Sequence, residues 1–464
     1  MSRDQSRRAF LKRVSALSVA GSATSFVMNL AAAGEAAAAT SSDYKALVCV
    51  FLYGGNDYAN TLVPYDTTRH AYYVSQRPGL AIARDALLPT LLQSKVPLPG
   101  GAQYALAPGL APLLPVFQNG KMAVILNVGT LVRPTTKAQF EAQSVQLPPK
   151  LLSHNDQQSY WQAASPEGAQ TGWGGRIGDL LQAGNGNASL TCINPSGNAV
   201  FLTGRAAVQY AVSTNGPIAL NAQTNLFGST GSATLLRQLI ASPGGTHDFQ
   251  LGVSNVARRA LELHALVSSA LAIAPKTTTV FPQAADPTSN LGAQLQMVAK
   301  LISVGQELGA RRQVFFVSAG RYDTHDGLAT LHPLLMRNMA DAVRAFYDTT
   351  VELGVADKVT TFTASDFGRA LTANDDGTDH GWGSMHFAIG GGVKGGQFYG
   401  INPTLGNNGP DDIGQGRLIP SMSVDQYGAT LASWFGVPAG DLPTVFPNLQ
   451  NFAGTSLGTN LGFV

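Results

Sequence analysis

The sequence predicts an α/β protein built on a mostly parallel sheet, and two observations lead to that class. Several short, continuous apolar runs end at glycine or polar turns, which is typical of strands buried on both faces. Segments with helical periodicity alternate with these runs. Helices that alternate with buried strands favour a parallel sheet covered on both sides.

Five apolar runs are predicted as strands. The first, ALVCVFL, ends at a Tyr-Gly-Gly turn, and the last ends at three consecutive glycines. The runs cover residues 46–52, 122–128, 314–317, 359–364 and 386–389. Helical patterns precede the second, third and fourth runs, over residues 110–117, 291–308 and 331–353.

Composition excludes several classes of protein. The chain has 464 residues, of which only 12% are charged, against roughly 25% in a typical soluble domain. Thirty Lys and Arg against 28 Asp and Glu leave a net charge of +2, which argues against a nucleic-acid binder. The two cysteines, Cys49 and Cys192, form no CxxC pair, which excludes a cysteine zinc site, and both are expected to be buried free thiols.

The first 39 residues predict a twin-arginine signal peptide. Arg7 and Arg8 lie in the pattern SRRAFLK, a modest apolar stretch follows, and a run of alanines ends near Ala39. The apolar stretch contains Ser, Gly, Thr and Asn, so we expect no stable membrane anchor. The sequence thus predicts a partnership with the twin-arginine translocase and a periplasmic or secreted protein. The alternative is an amphipathic N-terminal helix with a chance arginine pair.

The remaining residues, 40–464, are predicted to form a single domain. A stretch at about 194–288 differs from the rest, because segments rich in Asn, Ser, Thr and Gly surround one long helix at about 250–270. We interpret this stretch as an insertion or cap on the sheet.

Acidic and histidine residues follow the predicted strands. Because the carboxyl ends of parallel strands share one sheet edge, where α/β folds bind ligands, we expect these residues to converge. Carboxylates about 5 Å apart repel by roughly 3 kcal/mol per pair at an effective dielectric of about 20, and a divalent cation removes that cost. Nitrogen ligands favour zinc or manganese. The alternative is that each Asp caps a turn. The predicted ligands are Asp57, Asp323, His325, Asp366 and His380.

A second motif, Ser153-His154-Asn155-Asp156, precedes a helical pattern. Ser153 is a candidate nucleophile at a helix N-terminus or a plain N-cap. His154 is a candidate ligand, a general acid–base or a packed loop residue. Arg133 and Arg369 are candidate anion clamps or ordinary salt-bridged residues.

Longer motifs resemble a large family of uncharacterised bacterial proteins that carry twin-arginine signals and are grouped with the alkaline phosphatase-like (sulfatase, phosphomutase) superfamily. They are FLYGGNDYANTLVPY, LSHNDQQSYW, YDTHDGL, SDFGRALTANDDGTDHGWGSMHFAIGGGVKGGQFYG and DQYGATLASWFGVP. The resemblance implies an α/β/α sandwich, one or two metal ions at the carboxyl edge, and a Ser, Thr or Cys nucleophile.

Residue by residue, the resemblance puts Asp366 and His380 at ligand positions, because the segments around them are similar to the superfamily's T-A-D-H-G and G-T-D-H blocks. Asp57 corresponds to the N-terminal metal ligand, and Asp323 with His325 to the remaining pair. Asp379 is expected to orient the His380 imidazole through its other ring nitrogen.

Three departures from the superfamily qualify this assignment. Phe367 stands where the superfamily has a ligating His, so we expect one ion per chain. The pair Asp323-x-His325 is closer than the usual spacing. Ser153 and Thr136 are both candidates for the nucleophile.

Two functions follow as expectations. The first is an exported metal-dependent hydrolase of a phosphate, sulfate or phosphonate ester, acting on a small anionic substrate. The alternative is a non-enzymatic binding or assembly protein on a degenerate hydrolase fold.

Overall fold

The computed structural model describes residues 44–220, 224–242, 247–282, 284 and 289–464. The predicted signal peptide lies outside the described residues. Within them, no helix combines the length and the apolar character needed to cross a lipid bilayer.

The helices and strands are named in chain order. The strands are β1 Lys45–Leu52, β2 Leu62–Pro64, β3 Tyr104–Leu106, β4 Met122–Gly129, β5 Cys192–Asn194, β6 Tyr210–Ser213, β7 Gly216–Pro217, β8 Arg312–Ala319, β9 Val359–Ser365, β10 Arg369–Ala373, β11 Thr378–His380, β12 Ser384–Gly390, β13 Gln397–Tyr399 and β14 Met422–Ser423. The α-helices are α1 Thr67–Gln76, α2 Arg84–Leu87, α3 Leu114–Gln118, α4 Lys137–Glu141, α5 His154–Ala163, α6 Trp173–Leu181, α7 Thr230–Ala241, α8 Asp248–Ala272, α9 Leu291–Ser303, α10 Leu328–Glu352, α11 Val424–Phe435 and α12 Leu442–Val445.

Among the described residues, ten strands form the main sheet. Its order is β13-β4-β12-β9-β1-β8-β5-β6-β7, with β14 paired to β4. The central strands β9, β1, β8, β5 and β6 run parallel. β12 is antiparallel to both of its neighbours, and β7 is antiparallel to β6. The predicted α/β class with a mostly parallel sheet is therefore confirmed.

Strand β1 shows why its sequence is apolar throughout. Ala46, Val48 and Val50 belong to one hydrophobic core, and the alternating residues Leu47 and Cys49 belong to another. Since successive side chains of a strand point to opposite faces, both faces of the sheet are covered. Helices α9 and α10 contribute to the first core and helices α6 and α11 to the second, which gives three layers. Cys49 and Cys192 are both buried and free.

The region predicted as an insertion contributes to the sheet as well as to its surroundings. Strands β6 and β7 extend the main sheet beyond β5, and helices α7 and α8 follow them. The predicted helix at 291–308 ends earlier, at Ser303. The stretch at 110–117 divides into a 3-10 segment and the short helix α3, because Pro112 and Pro115 interrupt regular helical hydrogen bonding.

Candidate metal centre

Three neighbouring strand ends bring polar side chains to one edge of the sheet. Strands β1, β8 and β9 are parallel, so the residues that follow them lie at the same edge. The turn after β1 reaches the loop after β8 through Gly54, whose φ is +117°. A Cβ on Gly54 would lie 2.3 Å from the backbone nitrogen of Asp323, so only glycine permits this approach.

His154, Asp323 and His380 form the centre of the candidate site. One ligand atom from each lies within 4.8 Å of the others. His154 Nε2 is 3.4 Å from Asp323 Oδ2, and His380 Nε2 is 3.2 Å from Asp323 Oδ1. His154 is the first residue of α5 and His380 is the last of β11. Both imidazoles therefore face one carboxylate.

His325 completes this group. Its Nε2 atom is 2.9 Å from His380 Nε2 and 3.2 Å from Asp323 Oδ1. Two imidazole nitrogens this close repel unless a proton lies between them or both face a cation. The side chain of His325 is 41% exposed, so the group opens to solvent. We refer to His154, Asp323, His325 and His380 as the histidine cluster.

The outer nitrogens of two cluster histidines fix the orientation of their rings. His154 Nδ1 lies 2.7 Å from Asp366 Oδ2, and His380 Nδ1 lies 2.7 Å from the carbonyl oxygen of Leu152. Since both acceptors require a donor, each Nδ1 carries the proton and each Nε2 presents its lone pair to the cluster. Such outer acceptors are typical of metal-bound histidines.

The environment shifts the pKa of three cluster residues. The hydrogen bond to Asp366 raises the pKa of His154, against the effect of burial. Burial lowers the pKa of His380 despite the hydrogen bond to Leu152. Partial burial would raise the pKa of Asp323, but the hydrogen bond and charge of Arg369 outweigh it and hold that pKa below its usual value. Asp323 is therefore ionised at neutral pH.

The structure places Asp366 beside the cluster rather than within it. Its Oδ2 atom accepts hydrogen bonds from both His154 and Gln158, the latter at 2.7 Å. Its Oδ1 atom is buried without a hydrogen-bond partner among the described residues. Asp366 thus orients the His154 ring through one oxygen and leaves its other oxygen open.

Asp57, which was predicted as a metal ligand, is paired with an arginine in the structure. Its two carboxylate oxygens accept hydrogen bonds from Arg77 at 2.5 and 2.7 Å, and both side chains are fully buried. Burial would raise the pKa of Asp57, but the charge and hydrogen bonds of Arg77 hold it below the usual value. The guanidinium of Arg77 thus compensates the charge of Asp57.

The hydroxyls of the two candidate nucleophiles, Ser153 and Thr136, are hydrogen-bonded to residues outside the histidine cluster. The Ser153 hydroxyl donates to Asp156 at 2.9 Å, so the residue does not cap the helix with its side chain. Thr136 is exposed and caps α4 in a capping box with Gln139. Among the described residues, no Ser or Thr hydroxyl is hydrogen-bonded to the histidine cluster.

The other predicted residues are placed as follows. Phe367 is buried, with its ring 4.9 Å from that of His154 and 4.6 Å from that of His380. Arg369 is buried and donates to Asp323 at 2.7 Å and to Gly54 O at 3.1 Å, so it supports the cluster and is not open to an anion. Arg133 is exposed. Asp379 accepts from Asn374 and lies 3.8 Å from His325, not at His380 Nδ1.

Sequence reasoning missed two side chains that shape this edge. Gln158 lies four residues after His154 on α5, and this spacing on a helix would have predicted their shared target. Arg77 lies 20 residues from Asp57, at the end of α1. No local pattern marks that pairing.

Residues 44–420 match the family described as "Protein of unknown function (DUF1501)". Because this match spans most of the chain, the protein belongs to that family, which confirms the family predicted from the motifs. No curated protein sequence matches the chain significantly.

Several solved structures resemble this one. The lipoteichoic acid synthase LtaP from Listeria monocytogenes has 9% identity and a TM-score of 0.34, covering 87% of this chain and 74% of its own. The PsFucS1 sulfatase from Pseudoalteromonas sp. has 10% identity and a TM-score of 0.29, covering 89% and 72%. A variant of the alkaline phosphatase PafA has 10% identity and a TM-score of 0.29, covering 71% and 64%. Likenesses this distant support no inference about chemistry.

Proposed function

We propose that this DUF1501 protein is an exported metal-dependent hydrolase of a phosphate, sulfate or phosphonate ester. The observation that carries the proposal is the arrangement of His154 and His380. Each ring donates its Nδ1 proton to a fixed acceptor and presents Nε2 to the carboxylate of Asp323. Three converging, pre-oriented ligand groups are what a divalent ion requires.

The donor set fits one ion of the zinc or manganese type. One ligand atom from each of His154, Asp323 and His380 lies within 4.8 Å of the others, and the two imidazoles are 3.4 and 3.2 Å from the carboxylate. A tetrahedron with metal–ligand bonds of about 2.0–2.1 Å has edges of about 3.3 Å, so small movements of these side chains would bring them around one ion. Two imidazoles and one carboxylate are ligands that zinc favours, and manganese accepts the same oxygen donor.

A bound ion would supply Lewis acidity and positive charge toward the transferring group. The chain's own residues would shield the site, hold the carboxylate and contact the substrate. Phe367 excludes water from one side of the His154 and His380 rings. Arg369 holds Asp323 in place from behind. His325, the most exposed member of the cluster, is the residue we assign to meet the substrate. Ser153, next to His154, remains our proposed nucleophile if its hydroxyl leaves Asp156.

The alternative function is a non-enzymatic binding or assembly protein with a structural ion. One observation favours it: the cluster offers four protein ligands, and a closed set of four is typical of structural zinc sites. In that case His325 is a ligand and leaves no position for a substrate.

Elemental analysis combined with turnover separates the two functions. Protein produced with zinc and manganese available is expected to hold about one ion per chain. The hydrolase proposal expects metal-dependent turnover of an aryl phosphate or an aryl sulfate, lost in Asp323→Asn and kept in the exposed neighbour Asp326→Asn. Stoichiometric metal without turnover of either ester would favour the assembly protein, and protein without metal would contradict both.

Export is a separate proposal that rests on the sequence motif at Arg7 and Arg8. Changing both to Lys is expected to leave the precursor in the cytoplasm, because the translocase reads the arginine pair as an address. Cell fractionation checks this, and the expected mature N-terminus near Thr40 can be identified by mass spectrometry. Normal export of the double variant would overturn the proposal.

A further inference from the structure

Helix α8 carries one continuous apolar stripe, and only half of it is covered. Residues 249, 253, 256, 263 and 267 fall within one arc of about 100° at 3.6 residues per turn. Leu263 and Val267 are 4% and 0% exposed and belong to the main core. Phe249, Val253 and Val256 are 77%, 52% and 65% exposed. The same stripe therefore begins uncovered and ends inside the protein.

Helix α7 does not cover the open half. It packs against α8, and the buried residue of α8 in that half is Ser254, which lies about 140° around the helix from Phe249. Gly252 borders the stripe and has no neighbouring atom within 4 Å of the position of a Cβ. The open half of the stripe could thus receive a second helix at close range.

Charged residues on one flank of the stripe indicate that the second helix is α8 of another copy of the chain. Asp248 and Arg259 are both exposed and lie eleven residues apart, which is three turns of a helix. No ion pair joins either side chain to another of the described residues. In an antiparallel pair of two identical helices centred near Val253, Asp248 of each copy faces Arg259 of the other.

We propose that the protein forms a two-fold symmetric dimer in which the N-terminal halves of two α8 helices pack antiparallel. Val253 lies near the symmetry axis and faces its counterpart. Phe249 of each copy packs near Val256 of the other, and two Asp248–Arg259 pairs close one flank. Because few apolar side chains take part, the dimer is expected to depend on protein concentration.

Sedimentation of the full chain over about a hundredfold range of concentration tests the proposal. The wild-type protein is expected to move from monomer to dimer. Val253→Glu should remain monomeric throughout, because it places two unpaired charges at the axis. The matched control is Val351→Glu on α10, since Val351 is also 52% exposed; it should dimerise as the wild type does. Melting curves check that each variant is folded.

Further variants test the geometry of the dimer. Asp248→Lys and Arg259→Glu should each weaken the dimer, and the double variant should restore it, because the pair is then reversed rather than broken. Val253→Cys should form a disulfide between copies under mild oxidation, while Cys49 and Cys192 are buried and do not compete. A wild-type protein that stays monomeric, a double variant that stays dissociated, or a monomer that binds vesicles through the stripe would overturn the proposal.

Discussion

Asp57 and Asp323 follow neighbouring strands at one edge of the sheet, yet their charges are compensated in different ways. Asp57 is fully buried and paired with Arg77, which carries a permanent charge. Asp323 is 39% exposed, accepts a hydrogen bond from Arg369 and also faces three imidazoles, whose charge depends on pH and on bound ions. A buried carboxylate with both oxygens held by one guanidinium is saturated, whereas a partly exposed one that also faces titratable imidazoles can accept a further cation. We therefore propose a structural role for Asp57 and a metal-binding role for Asp323.

The largest expected effect is on stability, at the buried pair. Arg77→Met should lower the free energy of unfolding by about 3–5 kcal/mol, because it leaves the Asp57 charge buried and unpaired. The control is Arg69→Met, whose ion pair with Asp66 is partly exposed and should be worth about 0–1 kcal/mol. Urea unfolding in the presence of a chelator measures both. Equal losses in the two variants would contradict a structural role for Asp57.

The next effect is on metal binding. Asp323→Asn should abolish the rise in melting temperature that zinc or manganese gives, because a ligand bound only by the native state stabilises it by mass action. Without metal the variant should melt below the wild type, because the substitution leaves the buried guanidinium of Arg369 without its carboxylate partner. The response to metal is therefore measured against the metal-free melting temperature of each variant. Asp326→Asn serves as the control and should keep the metal response. A full response in Asp323→Asn would remove the histidine cluster as the site.

A smaller effect is expected at the residue that orients His154. Asp366→Asn keeps the volume of the side chain but weakens the hydrogen bond to Nδ1, so metal affinity should fall about 10–100-fold without being lost. Asp379→Asn should cost less, because Asp379 lies 3.8 Å from His325 and touches no ring nitrogen of His154. Titration with a competing chelator measures both affinities. Complete loss of binding in Asp366→Asn would instead make it a direct ligand, as its open Oδ1 atom would allow.

The smallest effect is a difference in pH dependence. The pKa of His154 is raised above its ordinary value of 6.5, so in metal-free protein its stabilising effect is complete below that pH and is lost as pH rises through the folded pKa. The pKa of Asp57 is lowered from 3.8, so its contribution is present above that pH and is lost only in acid. Unfolding of wild type and His154→Gln should therefore converge as pH rises. A constant difference between them from about pH 5.5 to 9 would contradict this.

The sequence predicted the core of the sheet because strands buried on both faces must be apolar at every position, as β1 and β4 are. The short strands β5, β6 and β7 have only two to four residues each, which is too few for a periodic pattern to reveal them. The directions of the strands could not be predicted either. β12 is as apolar as β9 but runs antiparallel to it, and alternation of side chains contains no information about strand direction.

The candidate site was also predicted in part from the arrangement of the strands. Parallel strands that end together explain why Asp323, His325 and Asp366 were expected near one another. Their separate roles could not be predicted, because these depend on contacts between distant parts of the chain. The Leu152 carbonyl that orients His380 comes from a residue with φ of +73°, a conformation that no motif in the sequence indicates.

The members of the histidine cluster come from a helix start, a strand-end loop and a hairpin, between residues 154 and 380. In an unfolded chain these groups are far apart, and bringing them together costs the closure entropy of long loops. A nascent chain therefore has nothing with which to retain an ion at this site. Metal capture would come after folding, so the compartment in which the chain folds would decide which ion it acquires.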